Sequence, residues 1–180
     1  HYADGLLHVD ANIDDARKGK LSGKILSSVT KGRVDTKTVE KAFEFKAMPK
    51  TTFTAKAVSI LSKNTIDTKI NVDSTLAKLK VKQARFNVDK ASLHADYRAD
   101  IPDLDKLYFA TQRHLKGALT ASGELSKAKD LDFTAHSKLF GGKIDARLHN
   151  DDLHADMKKL NTLGMLKMLM YPEIFDSSLN

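Results

Sequence analysis

Apolar and polar residues alternate along most of this chain. Within residues 66–73, Ile66, Ile70 and Val72 occupy one phase of the alternation, and charged or amide side chains fill the other. Successive side chains of a β-strand point to opposite faces of the sheet, so a period of two is typical of a strand with one dry side. The segment predicts a half-buried β-strand.

The same alternation returns in many further segments. It is found at residues 79–82, 84–89, 93–99, 115–125, 131–139, 144–148 and 153–157. Between Val81 and Ala84 the phase slips by one residue, which indicates a bulge or a turn. Turn-forming residues separate the segments at 89–90, 127–130, 141–142 and 150–152. Closely spaced strands joined by short turns predict an antiparallel meander of about ten strands.

Helical periodicity is limited to three short segments, residues 35–43, 102–110 and 160–170. Asp35 is a candidate N-cap of the first, and Pro102 stands early in the second, where helices tolerate proline. The third is the most hydrophobic window of the chain and ends before Pro172. Its Leu and Met stripe is more typical of a core helix than of a surface adapted to acyl chains or partners.

A four-residue sequence recurs at a spacing of 60 residues. Leu93-His-Ala-Asp96 returns as residues 153–156, and the same offset aligns Leu115 with Phe175 and Leu119 with Leu179. A fainter echo occupies residues 7–10. We therefore expect one repeat-built, β-rich segment over residues 1–180, with units at roughly 1–83, 84–143 and an incomplete 144–180.

Composition narrows the class of protein. Hydrophobic residues make up 41% and charged residues 29%, as in an ordinary folded chain. The complete absence of Cys excludes disulfides, thiolate metal sites and a cysteine nucleophile. No run of 18 apolar residues and no signal-peptide pattern is present. Because the last residues end within a pattern, we expect this chain to be a piece of a longer protein.

The net charge of +7 and the pI near 9.4 make an anionic partner plausible. The lysines, however, stand singly between acidic residues, as at Lys63, Lys69 and Lys78. No basic tract with interleaved aromatic residues is present, so we expect no nucleic-acid partner. A solvated, lysine-rich strand face is favoured over a specific electrostatic role.

Three His and Asp pairs stand two residues apart, which places each pair on one strand face: His8 with Asp10, His94 with Asp96, and His154 with Asp156. Such a pair can supply two ligands to a metal ion, but no third potential ligand lies at a spacing typical of a metal site. These side chains share the polar phase of their strands, which favours contact with water. No cofactor or metal is expected.

Catalytic motifs are missing from the sequence. The Gly141-Gly142 pair leads into a predicted strand, so it indicates a turn and not a phosphate-binding loop. No nucleophile elbow, kinase, zinc-hydrolase or dinucleotide motif is present. We therefore predict that the protein is not an enzyme.

A long meander has a continuous apolar side that something must cover. Three short helices can cover only part of this apolar side. Two alternatives remain from the pattern alone: a closed sandwich or barrel with an ordinary core, or an open groove whose uncovered surface binds an apolar ligand.

The C-terminal half resembles a known family. Residues 115–125, residues 131–148 with their Gly-Gly turn, residues 152–156 and the Leu and Met helix up to Tyr171-Pro172 resemble the AsmA-like proteins of Gram-negative bacteria, the group that includes TamB and YhdP. In that family a glycine-spaced strand, further strands, a Gly-Gly turn and a leucine helix recur. The resemblance covers roughly residues 84–180.

The resemblance implies a periplasmic protein anchored to the inner membrane, whose repeats form a curved, groove-like sheet that carries phospholipid between the two membranes. Inner- and outer-membrane proteins are its implied partners. The family has no catalytic residues to assign to this sequence. The resemblance therefore indicates only which residues of each strand would face the groove. The side chains that would face the groove are Ile66, Ile70, Val72, Leu79, Val81, Phe86, Val88, Leu93, Tyr97, Leu119, Leu131, Phe133, Leu139, Ile144 and Leu148.

Three hypotheses follow. The first is a conduit that holds phospholipid or another acyl lipid on its apolar strand face. The second is an envelope interaction module, acting in outer-membrane protein assembly, that offers strand edges to a partner β-protein. The third, an enzyme, would need convergent polar groups that the sequence does not predict.

Overall fold

A computed structural model describes residues 1–17, 20–139 and 142–169 of the chain. It contains ten strands: β1 Ala3–Asp15, β2 Ser22–Val34, β3 Thr52–Ser62, β4 Thr65–Ser74, β5 Lys78–Asn87, β6 Ser92–Ile101, β7 Leu119–Lys127, β8 Leu131–Leu139, β9 Gly142–His149 and β10 Asp152–Lys158. All ten form one sheet in sequence order, with antiparallel neighbours. The mainly β fold and the antiparallel meander are confirmed.

The sheet is open. Within the described ranges, β1 pairs only with β2 and β10 only with β9, and no second sheet is formed. Of the two architectures left open by the sequence, a closed barrel or two-sheet sandwich is therefore not found. In the described part of the chain the single sheet has two edges, and neither face is covered by a second sheet.

The described part of the chain also contains three short helical segments. Helix α1, Thr36–Phe43, begins after Asp35, whose side chain accepts hydrogen bonds from the backbone N–H and the hydroxyl of Thr38. A 3₁₀ turn at Leu104–Leu107, capped by Asp103, continues into α2, Tyr108–Thr111. Helix α3, Thr162–Met168, follows the cap Asn161. The three predicted helical segments are therefore present, each shorter than its pattern, and Met170 and Pro172 lie outside the described residues.

All three helices lie at the same end of the sheet, which we call the helical end. α1 joins β2 to β3, the 3₁₀ turn with α2 joins β6 to β7, and α3 follows β10. The opposite end, the turn end, carries the short connections after β3, β5, β7 and β9. A helix after every fourth strand gives the sheet its repeat.

The predicted repeat aligns with this arrangement in part. Residues 93–96 lie in β6 and residues 153–156 in β10, each the strand directly before a helix, whereas the echo at residues 7–10 lies in β1, one strand earlier. The expected unit boundaries at 83/84 and 143/144 fall inside β5 and β9. Phe175 and Leu179 lie outside the described residues, as does Gly141 of the predicted Gly-Gly turn, while β9 begins at Gly142.

Two details of the strand pattern are resolved. The phase slip near Val81 is a bulge within β5, because the β5–β6 register shifts between Val81 and Gln83. The predicted strand at 115–125 begins only at Leu119. Gly117 has φ +108 and its carbonyl accepts the N–H of Leu104, so this stretch belongs to the helical connection.

The well-buried core is small and lies partly outside the sheet. Leu104 and Phe109 are buried in the connection between β6 and β7, and the Phe45 ring meets the Phe109 ring edge-on at a centroid distance of 5.2 Å. The Lys46 N–H donates to the Phe109 carbonyl at 3.2 Å. These contacts tie the segment after α1 to α2 and stiffen the helical end.

Candidate functional site

One side of the sheet is apolar along the whole meander. Directly opposite residues of antiparallel strands point to the same face. Ile66 of β4 lies opposite Leu61 of β3 and Phe86 of β5, and Val72 lies opposite Leu79. Following the register outward from β4 in this way defines one face, which we call the apolar face, from β1 to β10.

All but one of the residues predicted to line a groove belong to this side. Fourteen of them lie in strands on the apolar face, and the bulge in β5 keeps Leu79, Val81 and Phe86 in phase. Val88 follows the end of β5, and its N–H donates to the Asn64 carbonyl at 2.8 Å. The structure thus brings fourteen residues of the predicted set onto one face of the sheet.

The apolar face also includes residues of the first three strands that the sequence analysis did not select. They are Leu7, Val9, Ile13, Ile25, Val29 and Leu61. For Leu61 the alternation is present in residues 52–62, where small or apolar residues alternate with Thr, Lys and Ser. Leu125 of β7 and Leu153 and Met157 of β10 also lie on this face and are also outside the predicted set.

Most side chains of the apolar face are half-buried by their neighbours within the sheet. Among the described strands, Leu61 and Ala95 are the most buried apolar side chains, each 7% exposed, whereas Phe86 keeps 38% of its surface exposed. Exposure is greatest on the two edge strands, at 68% for Leu7 and 69% for Leu153. Because every described strand belongs to the one sheet, no second sheet covers this surface.

The apolar face is not free of polar groups: the Ser59 and Thr68 hydroxyls pair at 2.9 Å, and Tyr97 brings a further hydroxyl near the middle of the face. Tyr97 of β6 stacks on Phe133 of β8, and its hydroxyl donates to the Thr134 carbonyl at 2.8 Å. The strand between them presents Gly123, which has no side chain to obstruct the Tyr97 ring. Burial raises the pKa of the Tyr97 hydroxyl, so this group is a neutral donor at physiological pH.

The opposite side, the polar face, is held by ion pairs between neighbouring strands. Arg85 Nε lies 2.9 Å from Asp67 Oδ1, and the hydrogen bond from Arg85 lowers the pKa of Asp67. Hydrogen bonds from His149 and Arg147 likewise lower the pKa of Asp132. These carboxylates stay ionised and link neighbouring strands across the polar face.

The candidate His and Asp pairs lie on this polar face. His94 Nε2 is 3.8 Å from Asp96 Oδ1, and both side chains are about half exposed. The pairs in β1 and β10 are exposed, and their side chains make no hydrogen bond or ion pair with another described residue. Across that same part, no group of three or more His, Asp or Glu side chains is arranged to hold a metal ion.

A shallow depression of about 550 Å³ on the polar face is lined by Arg98, Thr120, His136, Lys138 and Asp145, among others. Two of its charged side chains are already paired: Arg98 with Asp100 at 2.9 Å, and His136 with Asp145 at 2.7 Å. A nucleophile with an adjacent base is not among these groups. The apolar face is therefore the stronger candidate for function.

None of the helices in the described ranges has the length and hydropathy needed to cross a membrane. Comparisons with protein-family models, with curated proteins and with solved structures found no match.

Proposed function

We propose that this chain binds the acyl chains of phospholipid, or of another acyl lipid, along its apolar face. The observation that carries the proposal is a continuous apolar surface over ten strands that no second sheet covers. Each methylene group moved from water onto such a surface contributes up to about 0.8 kcal/mol of favourable binding free energy. Several half-exposed side chains in a row can therefore hold a chain without any cofactor or chemical step.

At the turn end, the boundary of the apolar face offers a position for a lipid headgroup. Lys127 lies in phase with the apolar residues, opposite Leu93 on one side and Leu131 on the other. A cation at this boundary can contact a phosphate while the acyl chain extends along the strands toward the helical end. The net positive charge of the chain favours the same anionic ligands.

In its full-length context, we propose that such a segment works in the periplasm, anchored to the inner membrane, and conducts phospholipid toward the outer membrane. This part of the proposal rests on the resemblance to AsmA-like proteins. Fractionation of cells that produce the full-length protein tests the location.

The decisive experiment measures lipid on the purified protein. Native mass spectrometry and lipid extraction should find phospholipid on the wild-type chain, and Val72→Asp and Phe133→Asp should lose most of it because a carboxylate cannot be buried beside an acyl chain. Asn71→Asp, in the same strand but on the polar face, is the matched control. Circular dichroism checks that all variants fold.

Two results would overturn the proposal. One is a wild-type protein that carries no lipid after gentle purification and takes none from phosphatidylglycerol vesicles. The other is equal lipid content in Val72→Asp and Asn71→Asp.

A second function, an interaction module for envelope or outer-membrane protein assembly, is favoured by the exposed edges. Every residue of β10, and every residue of β1 except Asp15, is exposed. An open strand edge can accept a strand from a partner β-protein. This function predicts partner crosslinks at β1 or β10 in cells that persist when Val72 is replaced by Asp.

A further inference from the structure

Two hydroxyl groups lie side by side on the apolar face. Ser59 of β3 stands directly opposite Thr68 of β4, and their side-chain oxygens are 2.9 Å apart. Both side chains are half-buried. The next pairs on this face of the same two strands are apolar, Ala57 with Ile70 and Leu61 with Ile66. The two hydroxyls are therefore a polar spot within an apolar surface, which we call the hydroxyl pair.

The hydroxyl pair has one more O–H donor than the protein uses. Each hydroxyl carries one O–H and two acceptor lone pairs. When one hydroxyl donates to the other, the O–H of the accepting group stays free, and neither side chain has another hydrogen-bond partner in the described part of the chain. A cross-strand bond between Ser and Thr stabilises the pairing of two strands, but that role needs only one of the two donors.

The neighbours of the hydroxyl pair supply no acceptor and leave it accessible. Ile25 of β2 stands opposite Ser59, and Ala84 of β5 stands opposite Thr68. Neither neighbour has a polar side chain, and the methyl group of Ala84 is too small to cover Thr68. Because β3 and β4 each have a strand on both sides, the surroundings of the pair do not depend on either edge of the sheet.

Three other hydroxyls of the apolar face each donate to a carbonyl of the protein. The donors are Tyr97, Ser74 and Ser137. Ser27 of β2 stands diagonally from Ser59 and makes no hydrogen bond to it. The bond within the hydroxyl pair holds its free donor in place and polarises it, which a single rotating hydroxyl lacks. The pair is therefore the better donor for a ligand on this face.

A ligand that covers the hydroxyl pair removes water from the free O–H. A buried donor without an acceptor is unfavourable, so a ligand with an acceptor at the head of its alkyl chain binds better than a pure hydrocarbon. We propose that this O–H donates to an ester carbonyl of the bound lipid, and that the apolar face thereby selects ester-linked over ether-linked lipid. The inference rests on the proposed function, because it concerns lipid on the same face.

The position of the hydroxyl pair along the strands fits this contact. From Thr68 to Ser74, at the helical end of β4, the strand runs about 20 Å and presents Ile70 and Val72 on the apolar face. The acyl chains of one bilayer leaflet span about 15 Å, so a whole chain fits in that stretch. Only about 10 Å separate Thr68 from Thr65 at the turn end. The acyl chain therefore runs from the pair toward the helical end, as a headgroup at the turn end requires.

Competition between two lipids that differ only in their linkage tests the inference. The purified chain is incubated with vesicles that contain equal amounts of diacyl and dialkyl phosphatidylglycerol of the same chain length, and native mass spectrometry measures both lipids on the protein. The dialkyl lipid has no carbonyl to accept the hydrogen bond. On the wild-type chain the diester should exceed the diether by about three- to tenfold, the effect of one hydrogen bond.

Removal of both hydroxyls should abolish the preference without abolishing lipid binding. In Ser59→Ala/Thr68→Val no donor remains and the surface stays apolar, so the two lipids should bind about equally. Each single variant keeps one hydroxyl whose O–H is then free, so Ser59→Ala and Thr68→Val alone should retain most of the preference. Ser62→Ala/Thr65→Val makes the same substitutions at an opposite pair on the polar face of the same strands and should leave it unchanged. Circular dichroism checks that all variants fold.

Infrared spectroscopy of isotope-labelled ester carbonyls observes the contact on the wild-type chain itself. A donated hydrogen bond lowers the stretching frequency of the carbonyl. The frequency of the bound diester should therefore lie below that of the same lipid in a dry alkane, and it should rise toward the alkane value in Ser59→Ala/Thr68→Val. A hydroxyl pair that only stabilises the sheet would not change this frequency.

Several results would overturn the inference. Equal binding of diester and diether by the wild-type chain would overturn it and leave acyl-chain binding standing, whereas a chain that binds neither lipid would overturn both. A preference that persists in Ser59→Ala/Thr68→Val would overturn it as well, and its loss in Ser27→Ala would then assign the donor to Ser27. Palmitate that displaces the diester at equal concentration would overturn the assignment to an ester, because the acceptor would be a free carboxylate.

Discussion

The ring of Tyr97 stacks on the ring of Phe133 although their strands are not neighbours. The ring centroids are 5.3 Å apart and the planes differ by 11°. Strand β7 runs between them and places Gly123 opposite Tyr97. The stack therefore joins β6 to β8 across the apolar face and links three strands at the middle of the sheet.

Gly123→Ala should destabilise the fold strongly. An added Cβ would lie 1.8 Å from the backbone oxygen of Thr134, and backbone cannot move aside as a flexible side chain would. We expect a loss of roughly 2–4 kcal/mol in the free energy of unfolding, measured by urea denaturation. Ser122→Ala, the neighbouring position on the polar face, should change stability by less than about 0.5 kcal/mol. Equal effects of the two variants would contradict the close approach at Gly123.

Tyr97→Phe isolates the hydroxyl from the ring. The stack on Phe133 remains, but the Thr134 carbonyl loses the hydrogen bond that it accepts at 2.8 Å. We expect a loss of about 1–2 kcal/mol in the free energy of unfolding because a partly buried acceptor is left unpaired. Tyr97→Leu, which also removes the stack, should lose more. Equal stability of Tyr97→Phe and wild type would show that water replaces the hydroxyl.

The sheet could be predicted from the sequence because its signal is local. Alternation identifies strands, short turns make neighbours antiparallel, and in a meander the phase alone decides which residues share a face. The slip after Val81 was predicted as a bulge or a turn for the same reason, and the β5–β6 register resolves it as a bulge.

The details that could not be predicted from the sequence are contacts between residues far apart in the chain. The need for glycine at residue 123 depends on Tyr97 and Thr134, which come from two other strands. The contact of Phe45 with Phe109 joins segments 64 positions apart in sequence. Neither contact produces a periodic pattern of apolar residues in the sequence. Whether the sheet is open depends on whether β1 pairs with β10, and the alternation of apolar and polar residues does not determine that.

Phe109→Ala should loosen the helical end more than the sheet. The ring is 7% exposed and meets Phe45 edge-on, so its removal leaves a cavity beneath α2. We expect a loss of about 3 kcal/mol in the free energy of unfolding. Hydrogen exchange should rise first at Lys46, whose N–H donates to the Phe109 carbonyl. Faster exchange confined to β4 and β5 would contradict a local role.

Acid should weaken the contact between β4 and β5 through Asp67. Hydrogen bonds from Arg85 and Gln83, at 2.9 and 3.0 Å, lower the pKa of this carboxyl in the folded state. The folded state therefore binds fewer protons than the unfolded state as the pH falls below about 4, the ordinary range of an Asp side chain. The stability conferred by the ionised group is present above that range and is lost as the pH falls through the folded pKa.

Asp67→Asn removes this titration. At pH 7 the variant should be less stable than wild type by about 1 kcal/mol or less, because the side chain is 30% exposed and solvent screens the pair. The difference should shrink as the pH is lowered from 5 to 2, measured by urea unfolding at each pH. In an Arg85→Gln background the same substitution should give a smaller and flatter difference, since the largest cause of the lowered pKa is gone. A difference that is constant from pH 7 to pH 2 in the wild-type background would show that the contact between Asp67 and Arg85 does not contribute to folding.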